Sequence, residues 1–203
     1  MKTNRSTIIL ITGVPCAGKS SLSIKLNKSG EHLIVQETDI IRSAMYGYQK
    51  SLIDKNFHFS EKELLPKHGV IKDYRKTMVE NDNFVEAFYQ VILRQKRKGI
   101  PTIINGFNLM NTKISYFLKV KDLYFIYLHF NKVETIKERL KKRNNDVDDA
   151  LLKQIDNIWE INNKYHDFLL NYNTQKNLII IDVDNKDQID IVTKLKNIID
   201  KLD

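Results

Sequence analysis

The sequence predicts an α/β fold built on a five-stranded parallel sheet with helices on both faces. Three observations carry this reading. Five apolar, β-branched runs recur along the 203 residues, separated by helix-compatible segments. The runs are continuously apolar and do not alternate, as strands buried on both sides require. The first run leads into a glycine-bracketed loop and then a helix, and in such sheets ligands bind along the edge formed by the strands' C-terminal ends.

Thr7 to Thr12 is the first strand. Gly13-Val14-Pro15-Cys16-Ala17-Gly18 is the loop after it, and Lys19, Ser20 and Ser21 open a helix that runs to Asn27 and stops at Gly30. This is the order of a phosphate-binding P-loop. Unsatisfied amides at the helix start face phosphate oxygens, and the helix dipole adds positive potential. Gly13 and Gly18 let the backbone approach closely. Lys19 supplies a point charge to the terminal phosphates, and Ser20 supplies a hard oxygen ligand for Mg²⁺.

His32 to Gln36 is the second strand, with Thr38 or Asp39 capping a helix from Ile40 to Met45. Asp39 and Arg42 lie three apart and share a face just beyond a strand end, where an acceptor substrate binds. Asp39 is the best-placed carboxylate to orient or deprotonate an acceptor hydroxyl, or to hold Mg²⁺ through water. Tyr46 to Gly69 is the least regular stretch and reads as a substrate-covering insertion or a long connection. Its His58 and His68 lack partners at metal spacing, so no metal site is expected there.

Val70 to Lys98 is helical, broken near Asn81-Asp82-Asn83 and stopped by Gly99. Phe84, Phe88, Val91, Ile92 and Gln95 form its inner face. Pro101 to Asn105 is the third strand, followed by a Gly106-Phe107-Asn108 loop and a short helix over Thr112 to Lys119. Leu123 to Phe130 is the fourth strand, and Asn131 caps a helix over Val133 to Arg143. Arg139 and Arg143, four apart on one helix face, suit a lid spanning about residues 131–150 that brings positive charge to a transferring phosphoryl group. Ala150 to Leu170 is a further helix, Asn177 to Val183 the fifth strand, and Gln188 to Leu202 the closing helix.

The bulk properties fit one domain over residues 1–203. The chain is 42% hydrophobic and 29% charged, which suits a globular protein with a sizeable core. Neither a signal peptide nor a membrane span is expected. Cys16 is the only cysteine, so an internal disulfide is excluded and a cytoplasmic location is the default. The net charge of +8 admits a nucleic-acid partner, but the positive residues are scattered apart from two clusters.

No carboxylate follows the third strand, which ends in Asn105, and no guanine-recognition segment is visible. Both points favour an ATP-dependent kinase over a GTPase switch. The chain resembles the small P-loop kinases, in particular 2-phosphoglycerate kinase-like and zeta-toxin-like proteins. The resemblance rests on Gly13 to Ser21, Thr38-Asp-Ile-Ile-Arg42, Ile103-Ile-Asn-Gly-Phe-Asn108 and the spacing of Arg139 and Arg143. It implies strand order 2-3-1-4-5 in a three-layer fold, a helical lid, ATP with Mg²⁺, and Asp39 and Arg42 facing the acceptor beside Asn105 and Asn108. Asn105 stands where those relatives carry glutamate, and Cys16 where glycine is common; the Cys16 position is not expected to need positive φ.

The expected activity is therefore transfer of phosphate from ATP to a hydroxyl of a small, anionic metabolite. Lys19, Asp39, Arg139 and Arg143 are the catalytic candidates, and Ser20 and Asp39 the metal ligands. A 2-phosphoglycerate-like molecule is one candidate acceptor. The alternatives are a nucleic-acid end, a nucleobase hydroxyl or a nucleotide as acceptor, and a nucleotide-binding regulatory protein without transfer activity.

Overall fold

The computed structural model describes residues 7–28, 33–53, 73–143, 146–184, 190–193, 195 and 197. Five parallel strands form one sheet in the order β2-β3-β1-β4-β5. They are β1 (Ile8–Gly13), β2 (Ile34–Glu37), β3 (Thr102–Asn105), β4 (Leu123–His129) and β5 (Leu178–Asp182). The predicted strand order and the helices on both faces are thus observed.

The centre of the sheet is dry. Ile8 to Ile11 of β1 and Phe125 to Tyr127 of β4 are fully buried, which explains their unbroken apolar sequence. The edge strand β2 is only partly covered, and its Ile34 is exposed. Helix α1 (Lys19–Lys28) packs on β1, β2 and β3 through Leu22 and Leu26.

Helix α2 (Thr38–Ile53) starts directly from β2 and is longer than the predicted Ile40 to Met45. Thr38 and Asp39 are its first residues and not its cap. Gly47 is buried within it. The predicted irregular stretch therefore begins as helix, and residues 54–69, with His58 and His68, lie outside the described residues.

Helices α3 (Tyr74–Asp82) and α4 (Val85–Lys98) follow, separated at Asn83 and Phe84 where the break was expected. Gly99 ends α4 in the left-handed conformation at φ 63°. A 3₁₀ turn (Phe107–Leu109) and the short α5 (Ser115–Leu118) precede β4.

After β4 come α6 (Val133–Arg143), α7 (Asp146–Leu152) and α8 (Ile155–Leu170). The single helix predicted from Ala150 is two, because a turn at Lys153 and Gln154 separates them, closed by a Gln154 N–H to Leu151 carbonyl bond of 2.9 Å. Of the closing helix Gln188 to Leu202, residues 190–193, 195 and 197 are described and helical; the rest lies outside the described residues.

One buried amide positions the segment that carries α6. Asn162 of α8 donates to the Phe130 carbonyl at 2.7 Å and accepts from the Phe130 N–H at 3.1 Å. Both backbone groups just beyond β4 are thereby satisfied, which a buried chain end needs.

Candidate functional site

The loop from Gly13 to Gly18 sits at the C-terminal end of the central strand and opens helix α1. Gly13 has φ 152°, and a Cβ there would lie 2.7 Å from the Leu128 carbonyl oxygen of β4. Only glycine lets the loop leave the sheet at this point. Gly18 has φ 93°.

Cys16 also has positive φ, at 63°. This corrects the expectation for that position: the turn does require the left-handed region, and a non-glycine residue occupies it. The conformation carries a steric penalty for an L-residue. Contacts from α6 hold it in place. Arg139 Nη1 donates to the Cys16 carbonyl at 3.3 Å, and Arg143 Nη1 to its Sγ at 3.3 Å.

Lys19 is part-buried, and its Nζ donates to the Val14 carbonyl at 2.9 Å across the loop. Burial pulls its pKa down to about 8, and the nearby Arg143 adds to this; Cys16, Asp39 and Glu37 oppose it. The ammonium is thus held where a triphosphate's negative charge would restore its full basicity.

Ser20 donates from Oγ to Glu37 Oε1 at 3.1 Å. Glu37 was missed in the sequence. It ends β2, two residues before Asp39, and the α1–β2 contact turns it towards the start of α1. The signal was a second carboxylate at the same strand end. Asp39 faces elsewhere: its Oδ1 accepts from Asn108 Nδ2 at 3.1 Å and lies 4.0 Å from Arg42 Nη2.

The third strand end comes close to α2. Asn105 pairs with Glu37 in the β2–β3 register. Gly106 follows, and a Cβ on it would sit 1.7 Å from Thr38 Oγ1. Asn108 then reaches Asp39. Asn81 of α3 ties this turn down, donating to the Met110 carbonyl at 2.6 Å.

Two clefts meet at the loop. One, of about 290 Å³, brings together Lys19, Ser20, Glu37, Asp39, Arg42, Asn105 and Asn108, with Asn81 of α3 and Arg143 of α6 at its walls. The other, of about 450 Å³, is lined by Gly18, Ser20, Ser21, Arg139, Lys142 and Arg143. Cys16, Lys19, Ser20 and Arg143 face both.

The predicted residues therefore gather around the loop, but Arg139 and Arg143 differ in their bonding. Arg139 is tied down: besides Cys16 it donates to the Val183 carbonyl and lies 5.0 Å over the Phe130 ring. Arg143 is exposed and contacts the Cys16 thiol.

In chemical terms, one loop presents amides, an ammonium and a hydroxyl between a cation-lined cleft and a cleft of carboxylates, amides and the guanidiniums of Arg42 and Arg143. The hydroxyl–carboxylate pair of Ser20 and Glu37 offers hard oxygen donors, suited to a small hard cation that keeps most of its waters. Among the described residues no cluster of three His, Cys, Asp or Glu side chains is arranged to hold a metal unaided, and no helix is long and apolar enough to cross a membrane.

The sequence matches the family model described as an AAA domain over residues 9–156. No curated protein is significantly similar to it. Among solved structures the fold is similar to a gluconokinase from Sinorhizobium meliloti 1021, with TM-score 0.55, 15% identity, and 98% of this chain and 95% of the other covered. It is also similar to a sugar kinase from Janibacter sp. HTCC2649, with TM-score 0.52, 16% identity, and 96% and 95% covered. A third is the deoxyadenosine kinase from M. mycoides with bound dATP, with TM-score 0.50, 19% identity, and 94% and 99% covered. At these identities the likeness is one of fold.

Proposed function

Because this chain belongs to the AAA domain family, we propose that it is a P-loop phosphotransferase that moves the terminal phosphoryl group of ATP to a hydroxyl of a small metabolite. The observation that carries the reading is the meeting of the two clefts at Lys19 and Ser20. Such a layout lets a donor and an acceptor approach the same point from opposite sides. The kinase activities named for the three structural neighbours agree with it.

The loop amides and Lys19 hold the donor's terminal phosphates, and α1 adds its N-terminal dipole. Ser20 and Glu37 are the residues that would hold Mg²⁺, directly or through water. That ion supplies charge neutralisation at the phosphate oxygens. Asp39, kept in place by Asn108, orients the acceptor hydroxyl and takes its proton. In the transfer the hydroxyl oxygen forms a bond to the terminal phosphorus, the bond from that phosphorus to the bridging oxygen breaks, and ADP leaves.

Arg143 is placed to neutralise equatorial charge on the phosphoryl group, since it faces both clefts. Arg139, with two backbone carbonyls and a ring already engaged, braces the loop instead.

The test is a screen of hydroxyl-bearing metabolites with ATP and the protein, read as gain of one phosphoryl group by mass. Transfer that disappears in Lys19→Ala supports the reading. Transfer unaffected by Lys19→Ala refutes it.

A further inference from the structure

Two residues that line the cleft on the Asp39 side each hold a buried hydrogen-bond donor with no partner among the described residues. Asn105 is only 2% exposed, and its Nδ2 is unpaired. Arg42 Nε is likewise buried and unpaired. A buried donor left unmade costs about 1–3 kcal/mol, so two at one site point to a ligand that completes them. Both residues line the cleft that also holds Lys19 and Asp39.

Their positions follow from the sheet. Asn105 ends β3 and pairs with Glu37, which ends the neighbouring β2. Helix α2 begins at the next residue and carries Arg42 one turn past Asp39. The two donors therefore come from adjacent strand ends, and Asp39 lies three residues before Arg42 on the same helix.

Both unpaired atoms are N–H donors, so the missing partner supplies acceptor oxygens. One belongs to a guanidinium, for which an anionic oxygen forms a bond about twice as strong as a neutral one. Glu37, Asp39 and Glu80 line the cleft together with Lys19, Arg42 and Arg143. With Lys19 and Arg143 engaged by the donor phosphates, Arg42 alone faces the three acids on the acceptor side, which favours a singly charged carboxylate over a doubly charged phosphate. The volume of about 290 Å³ lies at the small end of ligand clefts, and among the described residues Phe107 is the one aromatic in its lining, which favours a compact ligand over one that needs extended ring stacking.

Resting on the phosphotransferase reading above, we propose that the acceptor is a small hydroxycarboxylate. Its carboxylate accepts from Arg42 Nε and Asn105 Nδ2, and its hydroxyl lies towards Asp39. Asn105 is then a specificity residue: its amide takes the acid where a carboxylate side chain would repel it.

The test is calorimetric binding to the full chain of glycerate, threonate and gluconate, each against its neutral counterpart glycerol, threitol or sorbitol, with 2′-deoxyadenosine as a nucleoside probe. Wild type, Asn105→Asp and Arg42→Gln are compared, and ATP binding reports that each variant is folded. The expected result is one acid bound with Kd below about 1 mM, in the range of metabolite-binding enzymes, and at least roughly tenfold tighter than its polyol. Both variants weaken that acid at least roughly tenfold and leave ATP binding in place, a change of about 1.4 kcal/mol or more.

A polyol or deoxyadenosine bound as tightly as the acids overturns the proposal, as do variants that bind the acid like wild type. Failure of all three acids to bind at about 10 mM, far above the usual metabolite range, also overturns it. An acid that binds but gains no phosphoryl group from ATP keeps this inference and removes the phosphotransferase reading. ATP-dependent phosphorylation of a polyol or nucleoside alone does the reverse.

Discussion

The Ser20 hydroxyl lies 3.1 Å from Glu37 Oε1, which couples the first turn of α1 to the last residue of β2. Asp39, two residues further on, is bonded to Asn108. Two carboxylates from one strand end thus line one cleft but bond to different partners. In this account Glu37→Gln raises the Mg²⁺ concentration needed for half-maximal transfer severalfold while acceptor KM stays near its wild-type value. Steady-state rates across a magnesium titration check this, and a change in acceptor KM alone would reassign Glu37.

The lowered pKa of Lys19 makes triphosphate binding depend on pH. The ammonium is charged below about pH 8 and loses its proton as pH rises through that value. Binding above pH 8 then requires uptake of a proton, and apparent affinity falls by up to about tenfold per pH unit. Calorimetry in two buffers of different ionisation enthalpy measures the uptake. It is expected to be small at pH 7 and to approach one proton at pH 9. In Lys19→Arg, whose side chain stays charged, the uptake disappears.

Arg139 and Arg143 separate bracing from charge delivery. Arg139→Ala leaves the carbonyls of Cys16 and Val183 without their donor. It is expected to lower the melting temperature and to weaken triphosphate binding, because the left-handed Cys16 loses its support. Arg143→Ala is expected to reduce kcat by roughly 10²-fold with little change in melting temperature. Thermal melts and kinetics on the two variants separate these effects.

Gly106 admits no side chain. A Cβ there would lie 1.7 Å from Thr38 Oγ1 and 2.8 Å from its Cβ, and φ is 157°. Gly106→Ala is expected to destabilise the protein by about 3 kcal/mol, at the upper end of single substitutions. Adding Thr38→Ala removes the closest clash and recovers part of the loss, which denaturant unfolding of the single and double variants measures.

How much of this was readable from the sequence differs by element. The loop and its flanking strand and helix were legible because glycine spacing, Lys19 and Ser20 follow directly from backbone and charge requirements. The sheet was legible because its central strands are apolar without interruption. Glu37 was not, because its role depends on how α1 packs beside β2, and periodicity carries no information on lateral neighbours. The positive φ of Cys16 was not either, since cysteine gives no sign of a left-handed residue; contacts from α6, more than 100 positions away in the chain, hold it there. Helix α2 was cut short because the stretch from Tyr46 onwards reads as irregular, whereas the helix runs on to Ile53.

His129 ties stability to acidity. Burial and the stacked His166 ring, 4.1 Å away, pull its pKa down to about 4, against the opposing charges of Asp182 and Asp184 and a hydrogen bond with Asn163. The folded protein thus keeps His129 neutral where the unfolded chain protonates it. Stability from this group is full above about pH 6.5 and is lost as pH falls towards 4, by roughly 3 kcal/mol. Melting curves between pH 7 and 4 are expected to flatten in His129→Gln.

The central claim is that the loop and Asp39 act as donor and acceptor halves of one transfer site. It is tested most directly by Asp39→Asn, assayed for ATP-dependent phosphorylation of the acceptor by mass and for triphosphate binding by calorimetry in the same preparation. The account predicts transfer reduced by roughly 10²–10⁴-fold, the usual scale of general acid–base catalysis, with triphosphate Kd changed less than about threefold. Equal losses of transfer and triphosphate binding, or transfer at the wild-type rate, would contradict it.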